Sequence, residues 1–163
     1  MIIAVMSDSH DHVENTRRAV ETAVREGASL IIHCGDLVAP FMLPILSAAG
    51  IPVHAVFGNN DGDRHLLTKL SLTKFTRITF HGHWGRIEEG GFSAAFTHYH
   101  ETALGLASSS RHGLVCYGHT HQYAAERTGA GLLLNPGDVM GKDEPPGFAL
   151  FDTKTGLDRR VSI

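Results

Sequence analysis

Ile2 to Met6 is an uninterrupted apolar run without the alternation of a half-solvated strand, and it predicts a strand buried on both faces. From Glu14 to Glu26 the period becomes helical. Ala19, Val20, Ala23 and Val24 share one stripe, charges fill the other, and Gly27 supplies the stop. Leu30 to Cys34 predicts a second buried strand, Phe41 to Ala49 a short helix closed by Gly50-Ile51-Pro52, and Val53 to Phe57 a third strand. This β-α-β-α-β order implies parallel strands with right-handed crossovers. Beyond residue 70 the segments shorten: Phe75 to His81, Gly85 to Glu89 and Phe92 to Thr97 predict strands, with Gly90-Gly91 turning a hairpin between the last two. His100 to Ser108 reads as a helix and Gly113 to Tyr117 as a buried strand. Tyr123 to Thr128 and Leu132 to Leu134 flank Gly129-Ala130-Gly131, and Phe148 to Phe151 and Leu157 to Ile163 flank a turn at Thr155-Gly156. The second half thus reads as mostly antiparallel. Together the pattern predicts an α/β sandwich of two mixed β-sheets flanked by helices.

Length and composition narrow the class. With 163 residues, 42% of them apolar, the chain suits one domain spanning residues 1–163 and has enough apolar material for its core. The balance of 14 basic and 17 acidic residues lacks the positive excess of a nucleic-acid or anionic-membrane binder. No apolar run reaches the roughly 18 residues of a membrane span, and Met1 runs straight into the first strand where a signal peptide would carry a basic segment. Two cysteines exclude a disulfide scaffold and fit a reducing cytoplasm, the expected location. One count changes the picture: 12 histidines, the commonest metal-ligand type.

The position of those histidines is informative. Asp8 and His10 follow the first strand, Gly35-Asp36 the second, Gly58-Asn59-Asn60-Asp61 the third, His98 the strand Phe92 to Thr97, and Gly118-His119-Thr120-His121 the strand Gly113 to Tyr117. Carboxyl ends of parallel strands converge on one crevice in an open α/β sheet, so seven side chains of metal-ligand type would meet there. Taken singly, each pattern has an ordinary reading as a turn or a surface histidine. Their joint placement at successive strand ends does not.

The order D-x-H, G-D, G-N-x-D, H, G-H-T-H resembles the calcineurin-like metallophosphoesterase superfamily, and the short chain resembles its small prokaryotic phosphodiesterases. The resemblance runs from Asp8 to the Asn135-Pro136-Gly137 turn. It implies that Asp8, His10, Asp36 and His121 hold one metal, that Asp36, Asn59, His98 and His119 hold another, and that Asp36 bridges them. Imidazole, carboxylate and amide ligands without thiolate suit two divalent transition-metal ions, with manganese placed first and Fe, Ni, Co or Zn as alternatives. Two such cations with Asp8, Asp36 and a bridging hydroxide leave a net charge of about +1, which favours a small phosphoester substrate. Two such metals roughly 3.5–4 Å apart activate a hydroxide for in-line attack at phosphorus.

The remaining candidates divide. Larger superfamily members carry a histidine after the ligating Asn that protonates the leaving group; here that position is Asn60, which is no acid at neutral pH. His12 and His100, each two residues beyond a proposed ligand, are the candidates to replace it or to order the ligands from behind. Asp61 and Glu101 are expected to orient ligating histidines. His33 and His54 are expected as hydrogen-bonded core residues, His81 and His83 in a turn or at the surface, and His65 and His112 facing solvent or a helix surface. Cys34 and Cys116 are expected as small buried hydrophobes, and Asn135 to Asp138 as a turn near the site. The competing functions are a protein-interaction scaffold, as in the retromer subunit that shares this fold, and a slow regulatory nucleotide or metal sensor. Oligomeric state is not encoded in any pattern found.

Overall fold

Side-chain alternation along the strands sorts the protein into four layers. In the computed structural model, which describes residues 1–129 and 131–163, β1 (Ile2–Met6), β2 (Leu30–His33), β3 (Val53–Ala55) and β4 (Ile78–Phe80) run parallel. With the antiparallel β10 (Gly147–Asp152) and β11 (Leu157–Ser162) they form a sheet of order β11-β10-β1-β2-β3-β4. A second sheet has the order β5-β6-β7-β9-β8, from β5 (Trp84–Glu89), β6 (Phe92–Thr97), β7 (Leu114–Cys116), β8 (Tyr123–Thr128) and β9 (Gly131–Pro136). Ile3, Val5 and Ile32 on one sheet meet Phe96, Leu114 and Leu134 on the other, while the alternate residues Ala4, Met6 and Ile31 face helices. Those helices are α1 (Val13–Arg25), α2 (Leu43–Ser47) and α3 (Arg64–Thr73); α4 (His100–Ser108) covers the outer face of the second sheet through Ala103, over Ala95, Val115 and Leu133. Each fully buried Ile, Leu or Phe stabilises by about 1.5–3 kcal/mol. The core between the sheets therefore fixes how far their strand ends stand apart.

Register then aligns those ends. Met6 pairs with His33 and His33 with Ala55 in the first sheet, and Phe96 with Cys116 and Cys116 with Leu134 in the second. The loops carrying the proposed ligands leave from these level positions.

Several expectations need correction. The second half is mostly antiparallel, through the pairs β5–β6, β8–β9, β10–β11 and β1–β10, but not wholly so: β6, β7 and β9 run parallel, and β4 joins the first sheet in parallel. The strand expected over Phe75 to His81 is only Ile78–Phe80, because the Phe75 N–H turns back to the Leu70 carbonyl at the end of a helix. That helix, α3, was unmarked in the pattern; Asp63 caps it by accepting from Leu66 N, and only Leu67 and Ser71 are buried. Phe41 to Ala49 splits into a 3-10 turn at Pro40–Met42 and the short α2. His112 is buried against Ser93 Oγ instead of facing solvent. His81 is half-buried and pairs with His54 across 3.0 Å. His33, Cys34 and Cys116 are buried as expected, and His65 and His83 are exposed. Ala130, in the connection between β8 and β9, lies outside the described residues. Among the described residues no helix is long and apolar enough to cross a membrane.

Candidate metal centre

The loops that leave the strand ends are backbone-strained. Eight non-glycine residues among those described have positive φ, and seven lie in the loops after β1, β2 and β7: Asp8, His10, Asp11, Asp36, Val38, His119 and His121. Such residues cost about 1–3 kcal/mol each and persist only where the surroundings over-determine them. Here the loops hold one another. Asp8 N and His10 N donate to the Gly35 and Asp36 carbonyls at 3.1 and 3.0 Å. Buried Asp61 accepts from Asp36 N (3.0 Å), Val38 N (2.8 Å) and Gly58 N (2.7 Å), which ties the loop after β2 to the loop after β3. Two glycines in the motifs are required by close approach. A Cβ at Gly58 would stand 2.2 Å from Asp36 Oδ1, and one at Gly118 would stand 1.9 Å from Ser7 Oγ.

These loops gather all seven proposed ligands. Asp8 Oδ1 lies 3.6 Å from both His10 Nε2 and His121 Nε2. Asp36 Oδ2 lies between the two halves of the cluster, 3.5 Å from His10 Nε2 and 3.4 Å from His98 Nε2. His98 Nε2 is in turn 3.0 Å from Asn59 Oδ1 and 3.2 Å from His119 Nδ1. Metal–ligand bonds of about 2.0–2.2 Å place neighbouring donors on one ion roughly 3–3.5 Å apart, so these separations match shared coordination. Two donor groups are compact by geometry alone, Asp8 with His10 and His121, and Asp8 with Asp36 and His98. Asp8 therefore borders both groups as closely as Asp36, although the resemblance gives the bridging role to Asp36.

The protonation pattern supplies the test of fit. His98 Nδ1 meets the Cys34 carbonyl at 2.8 Å, and a carbonyl only accepts, so Nδ1 carries the hydrogen. In the neutral ring Nε2 then aims a lone pair at Asp36 Oδ2 and Asn59 Oδ1, which are acceptors too. His121 repeats the arrangement, with Nδ1 on Asp138 Oδ2 at 2.8 Å and Nε2 facing Asp8 Oδ1. Asp8 Oδ1 and His10 Nε2 are buried with no hydrogen-bond partner. Buried acceptors facing one another repel unless a cation sits among them, and a bound divalent metal meets that need. Charge points the same way. Burial alone would raise the Asp36 carboxyl, but the His98 ring 3.4 Å away and the two bonds from Asn60 outweigh it and hold the group below the usual carboxylate range. The neighbouring Asp8 carboxylate, 3.6 Å from Nε2, raises His10, against burial.

The cluster opens into a cleft of ≈ 410 Å³ lined by His10, Asp36, Asn59, Asn60, His119, His121, Met140 and Lys142. An apolar groove of ≈ 430 Å³ between α1 and α2 has one carboxylate, Glu21, between Arg17 and Arg25, and no histidine. The chemistry lies in the cleft.

A family model for the calcineurin-like phosphoesterase superfamily domain matches residues 1–156. The chain belongs to this superfamily. As a calcineurin-like phosphoesterase it is a metal-dependent hydrolase of phosphate esters. It is 34% identical over its whole length, and over 99% of the relative's, to the phosphodiesterase MJ0936 of Methanocaldococcus jannaschii. It is 28% identical to the probable metallophosphoesterase YsnB of Bacillus subtilis, across 85% of this chain and 75% of that one. A solved archaeal phosphodiesterase superposes over the full length of both chains with a TM-score of 0.90 and 30% identity.

Five further residues singled out in the sequence of this phosphoesterase take varied positions. Asn60 binds Asp36 twice, through its backbone N–H to Oδ1 and its side-chain amide to Oδ2, both at 2.7 Å. His12 caps α1, its Nδ1 accepting from Asn15 N at 3.2 Å, and His100 packs on Tyr117 with ring centroids 4.8 Å apart; neither lines the cleft. Asp61 holds backbone amides where an orienting bond to a histidine was expected, and Glu101 is exposed. Asp138 was expected only in a turn. It is fully buried and bonded to His121. Its signal was present, since it follows β9 at the same edge as the other ligand loops. Ser7, which donates to Asp8 Oδ2, and Lys142 in the cleft left no such mark.

Proposed function

We propose that this protein is a cytoplasmic phosphodiesterase working with two divalent metal ions. Asp8, His10, Asp36 and His121 hold one, and Asp36, Asn59, His98 and His119 the other. The mixed imidazole, carboxylate and amide set suits divalent transition-metal ions, with manganese placed first and Fe, Ni, Co or Zn as alternatives. The observation that carries the reading is the convergence of buried, unpartnered polar atoms, Asp8 Oδ1 and His10 Nε2, beneath an open cleft. When bound, such ions polarise phosphoryl oxygens and lower the pKa of water. The chain's own groups do the positioning. The Cys34 carbonyl and Asp138 fix the tautomers of His98 and His121, and Asn60 restrains both oxygens of Asp36. Hydrolysis forms a bond from water oxygen to phosphorus and breaks the bond from phosphorus to the leaving alkoxide. An open cleft without a covering insertion suits a small or exposed diester, as the name of the archaeal relative also suggests. The scaffold alternative is set aside because the ligand set is complete and mutually placed.

Metal content and turnover of bis(p-nitrophenyl) phosphate test the reading together. Wild type should bind two ions per chain and hydrolyse the diester. Asp36→Asn should lose both metal and activity while its far-UV circular dichroism stays that of wild type. Near wild-type turnover with two bound ions in Asp36→Asn would show the ligand assignment to be wrong.

A further inference from the structure

The segment from Asp138 to Gly147 is not accounted for by holding metal, yet its first five residues are fastened to the metal loops. Val139 N donates to the Ser7 carbonyl at 3.0 Å and Met140 N to the Asp8 carbonyl at 3.2 Å. Asn15 Nδ2 reaches the Met140 carbonyl at 3.2 Å. Gly141 N and Lys142 N then fold back onto the carboxylate of Asp138, at 3.2 Å to Oδ1 and 2.9 Å to Oδ2. That Oδ2 is the atom that bonds His121 Nδ1. One buried carboxylate thus fixes a metal-ligand histidine and the backbone of Lys142. The far end is anchored separately: Glu144 pairs with Arg160 at 2.8 Å, and Arg160 also donates to the Pro145 carbonyl at 3.0 Å.

The strap holds Lys142 at the rim of the cleft. Among the described residues it is the one Lys or Arg lining that cleft, and its ammonium group has no carboxylate within 4.0 Å. Of the acidic residues on the strap, Glu144 is engaged with Arg160, the Asp138 carboxylate with His121 and the strap's own backbone, and Asp143 is exposed beside Lys142. A cation placed at the mouth of the cleft, on a backbone hydrogen-bonded to Asp138, fits an anionic group on the substrate. The long side chain keeps its ammonium mobile and hydrated, which suits a point-charge contact with a phosphoryl oxygen.

We propose that Lys142 binds the non-bridging phosphoryl oxygen of the substrate and that Asp138 is the positioning residue that ties this contact to the metal centre. The inference rests on the phosphodiesterase reading and deepens it by naming the group that recognises the anion.

The test uses the metal-loaded full chain, with two readouts. For bis(p-nitrophenyl) phosphate, Lys142→Ala should raise KM by about tenfold with kcat changed less than about threefold, and Lys142→Arg should restore most of the loss. Inorganic phosphate, titrated calorimetrically, should bind Lys142→Ala about tenfold more weakly than wild type, an effect that needs no turnover. Metal affinity should be unchanged in Lys142→Ala, since the side chain is exposed and touches no ligand. Asp138→Asn should lower metal affinity about 10- to 100-fold, as loss of an orienting carboxylate does, and weaken phosphate binding as well. Unchanged phosphate affinity and unchanged KM in Lys142→Ala would overturn the proposal. A wild type that binds phosphate in a Lys142-dependent way but hydrolyses no diester would leave the anion contact standing and defeat the catalytic reading instead.

Discussion

Asp61 is the residue on which the geometry of the site should depend most without any contact to metal. Its side chain is 5% exposed, and its two oxygens accept three backbone N–H groups from loops far apart in sequence. Asp61→Asn keeps the shape but leaves one oxygen. If that oxygen takes the Oδ2 position, the bonds from Asp36 N and Gly58 N survive, and the amide NH2 is pressed against Val38 N–H. The variant then loses one hydrogen bond to a charged group and gains a donor–donor contact, about 2–4 kcal/mol in sum. Asp61→Ala strands all three donors. At about 1–3 kcal/mol for each buried unsatisfied group, less what water recovers, the expected loss is roughly 3–6 kcal/mol. For a chain of this size 1 kcal/mol is worth about 2–4 °C in Tm, so the expected drops are roughly 4–16 °C and 6–24 °C. The assay is thermal unfolding in excess EDTA, where bound metal cannot mask the effect. Metal affinity provides a second reading. Asp36 and Val38 hold positive φ only while Asp61 grips their amides, so releasing them should weaken metal binding in Asp61→Asn too. Melting within about 2 °C of wild type for both variants would refute the reasoning, because water would then be replacing Asp61 at no cost.

Asn60 spends its amide on Asp36, so no side chain lining the cleft at that position can protonate an alkoxide, and rates across diesters of graded leaving-group pKa should fall steeply. A shallow dependence that becomes steep in His12→Ala or His100→Ala alone would identify that histidine as the acid and refute the expectation. Burial lowers the pKa of His81 and, with the neighbouring His81, that of His54, so both rings are neutral in the fold at pH values where the unfolded rings, near 6.5, take up protons. Their contribution is full above pH 6.5 and declines as pH falls through 6.5 toward the lowered folded values. His10 and His98, raised in the metal-free fold, act with the opposite sign, so the difference in unfolding free energy between wild type and His81→Gln carries the test. That difference should shrink from pH 7.5 to 5.5, and a constant difference would refute it.

The clustering of the proposed metal ligands was legible because each stands within a few residues of a buried apolar run, so the run locates the strand and the strand end locates the side chain. What supports them was not legible, since Asp61 acts on amides 23 and 25 residues away and Asp138 on a ring 17 residues away. Nothing in the spacing of Gly58-Asn59-Asn60-Asp61 distinguishes a carboxylate that orients a histidine from one that grips a neighbouring loop. Asn60 had the same ambiguity: its position marks an acid site by resemblance, while its amide, placed by the turn at Gly58, closes on Asp36. The missed helix α3 has a different cause. It buries only Leu67 and Ser71, too narrow a face to stand out from the polar run before it. Parallel pairing of β6 with β7 accords with the helix read between them over His100 to Ser108, whereas that of β7 with β9 escaped because spacing does not show which strand of the β8–β9 hairpin lies beside β7.

The two halves of the proposed ligand set come from different sheets. Asp8, His10, Asp36 and Asn59 leave the ends of β1, β2 and β3, while His98, His119 and His121 leave β6 and β7. The contacts of His98 Nε2 with Asp36 and Asn59, and of His121 Nε2 with Asp8, therefore cross from one sheet to the other. Their lengths are set by the layer of Ile3, Val5, Ile32, Phe96, Leu114 and Leu134 beneath them. Close packing makes that layer respond to a change of even one methylene, so the donor separations are a property of the core as much as of the loops. Strain in the loops runs in the same direction. Positive φ at Asp8, His10, Asp36, His119 and His121 turns five donor side chains toward one point, and cross-loop bonds from Asp61, Asp138 and the Cys34 carbonyl keep them there. The site is pre-formed by a rigid core and mutual bonding between loops, which is why buried acceptors can stand 3.4–3.6 Å apart without collapsing onto protein donors.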